Sequence, residues 1–199
     1  MTADERLQYE AGARRRHAVI AAVAAVCLLG AAVLQLSGTH TKIDELTLDL
    51  ISAHERFPLD LIGAVLNSLG LLGVAATLAF LYDAVRVRNP VIGRYVRWLA
   101  VTGGVVAAVV AVVYAIVIAI KANDFVSTGS QTYQEAKHLT SSKLLVVLPL
   151  LGQAASLVLA IGFVLTALGA MRVGLLTKFM GYLGIFVGVL VLFPIGSPV

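Results

Sequence analysis

Five stretches of the chain carry apolar residues with no Asp, Glu, Lys, Arg or His among them: Ala18 to Leu36, Leu61 to Tyr82, Trp98 to Ile120, Leu144 to Ala170 and Phe179 to Ile195. A helix rises 1.5 Å per residue, so crossing a bilayer core takes about 20 apolar residues. Four of the runs meet or nearly meet that length. The fifth, at seventeen residues, is short but borrows Leu175 and Leu176. The pattern predicts an all-α, polytopic transmembrane bundle of five spans (18-36, 61-82, 98-120, 144-170 and 179-195). A basic tail, 1-17, precedes a single helical domain, 18-199. The first run is longer than a signal-peptide core and follows a seventeen-residue polar tail, so it reads as a signal anchor. The stretch "LVLFPIGSPV" stops without a polar tail, and the expectation is that the natural chain continues into a sixth helix.

Two polar connections break this pattern on one side. In the first, Thr41 and Asp44 have the form of a capping box, and Ile43, Leu46, Leu50, Ala53 and Phe57 recur at helical steps. A short amphipathic helix is expected there, ended by Pro58, with Asp60 capping the second span. In the second connection, Thr132 and Glu135 form another box, predicting a helix over about Tyr133 to Leu139, with Ser141 or Ser142 capping the fourth span. The first connection has four acids against two bases and the second three lysines against two acids. Opposite charge is expected to dock the two as a small lid.

Composition adds little to the fold and more to the orientation. The 199 residues are 59% hydrophobic and 13% charged, with mean hydropathy +0.94, which no ordinary soluble domain matches. Arg6, Arg14, Arg15, Arg16, Arg86, Arg88, Arg94, Arg97, Arg172 and Lys178 fall on one side of the spans. Lys42, Arg56, Lys121, Lys137 and Lys143 fall on the other. Ten against five predicts a cytoplasmic amino terminus. Tyr82, Tyr95, Trp98 and Tyr182 gather at the same interface. The net charge of +4 is therefore a topology signal, and no nucleic-acid module accompanies it. Cys27 stands alone, so no intrachain disulfide forms.

The chemistry available inside the spans is mild. Ionisable groups there usually mark proton relays or ion paths, and these spans hold none. Asn67 in the second span and Gln153 in the fourth, with Ser156 beside it, are the candidate cavity or interhelical polar residues. Pro149 is expected to kink the fourth span one turn from Gln153. Gly103, Ala107, Ala111, Ala115 and Ala119 form a ladder of small residues at four-residue steps, the candidate packing face, with Gly184 and Gly188 a further pair. His40, Asp44, His54, Glu55, Glu135 and His138 are eligible metal ligands, but no HExxH or paired Cys spacing organises them. No metal, cofactor or catalytic group is expected.

The stretch "GLLTKFMGYLGIFVGVL", residues 174-190, resembles small multi-pass bacterial membrane proteins of the domain-of-unknown-function type. In those, a brief basic turn and a glycine-rich helix precede a last span. The resemblance covers organisation and carries over no site. The reading that follows is a non-catalytic protein of a bacterial cytoplasmic (inner) membrane. It would serve as an accessory or scaffold subunit, packing on another membrane protein or on itself, with membrane lipid around it. The alternative is a small transporter or lipid-binding protein with an outward cavity near Asn67, Pro149 and Gln153. An integral-membrane enzyme using His40, Asp44 and His54 is a third.

Overall fold

The structure is a computed structural model that describes residues 3–36, 46–89, 92–127 and 132–190; residues 3–14, 36, 46, 48–49, 135 and 187–190 are described by their helical backbone. Six helices follow one another: α1 (Ala3–Leu36), α2 (Leu46–Arg88), α3 (Tyr95–Ser127), α4 (Tyr133–Thr140), α5 (Lys143–Arg172) and α6 (Lys178–Leu190). The described residues hold no strand. Among the described residues, four helices are long and apolar enough to cross a membrane, over Arg15–Gln35, Leu50–Arg88, Tyr95–Ser127 and Lys143–Arg172. A fifth helix of that length is not found among the described residues. The 13 residues of α6 rise only about 20 Å against a core of about 30 Å. The remainder of that run, with Pro194 and Pro198, lies outside the described residues.

The centre of the bundle is α3, packed along α2 on one side and α5 on the other, with α2 and α5 also meeting. α1 lies on the far side of α2, and α6 on α5. Lipid tails are as apolar as leucine, so size rather than polarity decides which face turns inward. Twelve of the twenty buried hydrophobic residues among those described are alanine, while Val19, Val23, Val26, Leu29 and Val33 of α1 face outward. Small residues inside let backbones approach, and dispersion over the close contact then holds the helices together.

The glycines show where the approach is closest. A Cβ on Gly103 of α3 would lie 2.5 Å from the Leu159 backbone nitrogen of α5. A Cβ on Gly162 of α5 would lie 2.7 Å from the Ala100 nitrogen of α3. Each helix thus offers a glycine to the other's backbone. On the other flank, Gly73 of α2 meets the Ala24 side chain of α1 and Gly70 meets Leu28. Gly104 faces Ala75, so α3 uses adjacent glycines against two different neighbours.

Four hydroxyls inside this frame are satisfied locally. Ser68, Thr77, Thr102 and Thr166 donate to the carbonyls of Ala64, Gly73, Trp98 and Gly162, each four residues back. Ser68 also reaches the Ala108 carbonyl of α3 at 2.8 Å. Its single proton is shared between two acceptors, one of them across the α2–α3 interface. Since Ala108 keeps its own helical bond, Ser68→Ala is expected to cost only about 0.6 kcal/mol, the mean for interhelical bonds in a membrane. A thermal midpoint in mild detergent lowered by more than a few degrees would show that the bond carries more than that.

Two expectations about the connections are corrected. Pro58 does not end a separate amphipathic helix: α2 runs through it without a break, and Asp60 sits inside the helix as an exposed residue rather than at a cap. Proline removes one N–H bond and crowds one carbonyl, about 3 kcal/mol in a helix interior. The stretch ahead of it is held by packing, since Leu50 is buried with Ala122, Phe125 and Ala136. Thr132 and Ser142 do stand at the N-cap positions of α4 and α5, but neither side chain makes the capping bond. The Ser142 hydroxyl is buried with no partner among the described residues. Thr41 and Asp44 lie outside the described residues.

Candidate functional site

The helices that build the core leave a groove at the end remote from the loop joining α2 and α3. α1 touches α2 and α2 touches α3, so α2 floors a channel whose walls are the last turn of α1 and the carboxyl-terminal half of α3. Its volume is about 290 Å³. Gly63 and Ala64 line the floor and Ala111, Ala115 and Ala119 one wall, with Leu34, Phe57 and Ile118 closing it. Small side chains are the reason the space exists. Four polar groups enter it: Gln35, Asp60, Asn67 and Tyr114. Asn67 is half-buried, and its amide has no hydrogen-bond partner among the described residues. Arg56, beside the rim, donates to the Leu34 carbonyl at 3.4 Å, closing one open carbonyl of the α1 carboxyl end.

The ladder of small residues therefore does two jobs where one was expected. A four-residue step advances about 40° on a helix of 3.6 residues per turn, so five members sweep about 160°. Gly103 meets α5 and Ala107 is buried, while Ala111, Ala115 and Ala119 have rotated onto the groove. Gly184 of α6 faces Phe163 and Ala167 of α5, a contact within the bundle. Gly188 belongs to the part of α6 described by backbone only.

Asn67 and Gln153 are not brought together. Gln153 and Pro149 do not line the groove; Gln153 is exposed and Ser156 half-buried on α5. The reason is angular: α5 packs on α3 through Ala155, Leu159 and Gly162, and Gln153 lies about 180° around the helix from Gly162. α5 continues through Pro149 to Arg172. Of the eligible metal ligands, His40 and Asp44 lie outside the described residues. Among those described, no three His, Cys, Asp or Glu side chains gather.

Sequence reasoning passed over Gly70, Gly73 and Gly162, since single glycines in apolar runs do not announce what they face. It also missed His17, whose ring stacks on Phe80 with centroids 3.9 Å apart and planes 14° off parallel. No family model, curated protein or solved structure matches the chain.

Proposed function

We propose that this protein is a non-catalytic accessory or scaffold subunit of a bacterial cytoplasmic membrane, amino terminus cytoplasmic, which takes a helix of another membrane protein, or of a second copy, into the groove on α2. The observation that carries this reading is the second half of the alanine ladder. Gly103 and Ala107 are used up inside the bundle, whereas Ala111, Ala115 and Ala119 line a space with no helix in it among the described residues. The same kind of surface holds α3 against α5 and α1 against α2. Size supports it as well, because 290 Å³ lies at the bottom of the ~300–1,000 Å³ range of small-molecule pockets. The unpartnered Asn67 amide supplies one hydrogen bond to an incoming backbone or polar side chain.

A photo-crosslinking side chain at position 115 tests this in native membranes. The expected result is one discrete adduct of fixed mass, absent from position 109, where Val109 faces outward. Ala111→Leu should reduce that adduct about five- to 150-fold, the effect of about 1–3 kcal/mol of overpacking at the contact. Equal labelling at 109 and 115, or labelling indifferent to Ala111→Leu, rejects the reading.

A second reading rests on the mixed lining of the same groove. Apolar walls beside Asp60, Asn67 and Tyr114 suit a lipid whose chain lies on the alanines and whose polar end meets the amide. Adducts at position 115 with lipid and never with protein would favour it. Gln153 has no part in either reading.

A further inference from the structure

At the opposite end of the bundle the α2–α3 hairpin closes on a second concavity, of about 330 Å³. Tyr82 and Arg86 enter it from the last turns of α2, Arg94 from the loop just ahead of α3, and Arg97, Trp98 and Val101 from the start of α3. The hollow has a firm back. Tyr82 is 1% exposed, and its hydroxyl donates to the Ile92 carbonyl of the connecting loop at 3.3 Å. Arg97 is fixed by a 3.3 Å bond from Nη1 to the Asp83 carboxylate. The mouth, by contrast, carries exposed guanidinium groups.

Three guanidinium charges against one carboxylate leave an excess of two positive charges around one cavity. The first turn of α3 has no acidic residue, so its positive dipole end adds to the excess rather than offsetting it. A topology signal requires arginines somewhere in this loop. It does not require them to converge on a cavity backed by a buried tyrosine. Like charges so placed repel one another, and an anion among them turns that cost into attraction. Guanidinium forks match phosphate oxygens in geometry and charge. Trp98, 66% exposed, stands at the same level, where an indole is at home with one side in the acyl region and its N–H among headgroups.

We propose that this hollow binds the phosphate of an anionic phospholipid headgroup, with Arg86 and Arg94 as the principal contacts and Arg97 held in place by Asp83. The site is independent of the groove on α2, and the failure of either leaves the other standing.

Trp98 is the only tryptophan of the chain and serves as the reporter. The full chain in mild detergent is titrated with short-chain phosphatidylglycerol, short-chain phosphatidylcholine and inorganic phosphate, following tryptophan emission. Phosphatidylglycerol should give a saturable change that phosphatidylcholine does not, weakening as salt is raised. In R86Q/R94Q the apparent affinity should fall at least about tenfold, equivalent to 1.4 kcal/mol at 25 °C. Both positions are exposed, and an unchanged elution profile of the variant confirms that the fold is intact. Saturation by inorganic phosphate at the same concentrations upholds the anion site and makes free phosphate its ligand; saturation by the lipid alone identifies the headgroup. An equal response to phosphatidylcholine, an undiminished response in R86Q/R94Q, or no response overturns the proposal.

Discussion

Gly103→Ala and Gly162→Ala are each expected to destabilise the bundle by about 2–3 kcal/mol, the upper part of the range for overpacking. In mild detergent that is a thermal midpoint about 4–12 °C lower. The new methyl has nowhere to go. At position 103 it meets the Leu159 nitrogen at 2.5 Å and the Ala155 oxygen and Leu159 Cα at 2.9 Å. At position 162 it meets the Ala100 nitrogen at 2.7 Å and Cα at 2.9 Å. These are backbone atoms, and a backbone yields only by moving a whole helix. Alanine also gains about 1 kcal/mol of helix propensity over glycine, which offsets part of the loss. Gly63 is the control. A Cβ there comes no nearer than 3.8 Å to Leu34, ordinary contact, so Gly63→Ala keeps the propensity gain and should leave the protein equally or more stable. The double variant Gly103→Ala/Gly162→Ala should cost less than the sum, because the separation forced by one methyl makes room for the other. Unchanged midpoints for both single variants would mean that α3 and α5 do not approach as closely as described.

The same residues show how far the sequence could be read. The long uncharged runs were legible because a bilayer core punishes every unpaired polar group, and among the described residues four rods of sufficient length answer it. The interior was legible in kind, as small residues, but not in address. A four-residue repeat reads as one face on paper, whereas 3.6 residues per turn carry Ala119 far from Gly103. That drift turned an expected interface into half an interface and half a groove. Gln153 failed for the same reason: its partner face is set by where α5 meets α3, which no local pattern states. Pro58 failed differently, since a local rule about helix ends gave way to the burial of Leu50, eight residues earlier in α2, against α3 and α4. Asn67 alone among the expected polar residues lines a concavity, and it does so because Gly63 and Ala64 beside it leave space.

The length of α2 leads to the second large effect. Its 43 residues rise about 65 Å, twice a bilayer core, so α2 is longer than a membrane can enclose. The polar residues of its first turns suit the part left in water. There the hydrophobic effect returns as a driving force, and the structure uses it. Leu50 of α2, Ala122 and Phe125 of α3 and Ala136 of α4 form a buried cluster, with Ile51, Ala53, Val126 and Leu139 around it. Apolar side chains thus meet where docking by opposite charges is expected, while Lys42, Asp44 and Glu45 lie outside the described residues. α4 has eight residues, well short of the ~12–15 at which a helix begins to persist in water by itself. Its stability must therefore come from this cluster, in which Phe125 is the largest side chain and is fully buried.

Phe125→Ala should cost about 3 kcal/mol or more, and the loss should appear locally, as opening of α4. Amide exchange over 133–140 is expected to rise about a hundredfold, since each 1.4 kcal/mol is a factor of ten. Exchange over 47–53 of α2 should rise with it, because Leu50 loses the same partner. Amides near Gly103 and Leu159, deep in the bundle, should not change. Leu139→Ala, at a partly buried position, should have a smaller effect of the same kind. Salt separates this account from the electrostatic one. If lysines and acids on the two connections held α4, 1 M salt would shrink the Debye length to about 3 Å and free the helix in the unaltered protein. Burial of Phe125 is indifferent to that screening, so exchange over 133–140 should stay slow in high salt and become fast only in the variant. The reverse pattern would place the hold on α4 in its charges.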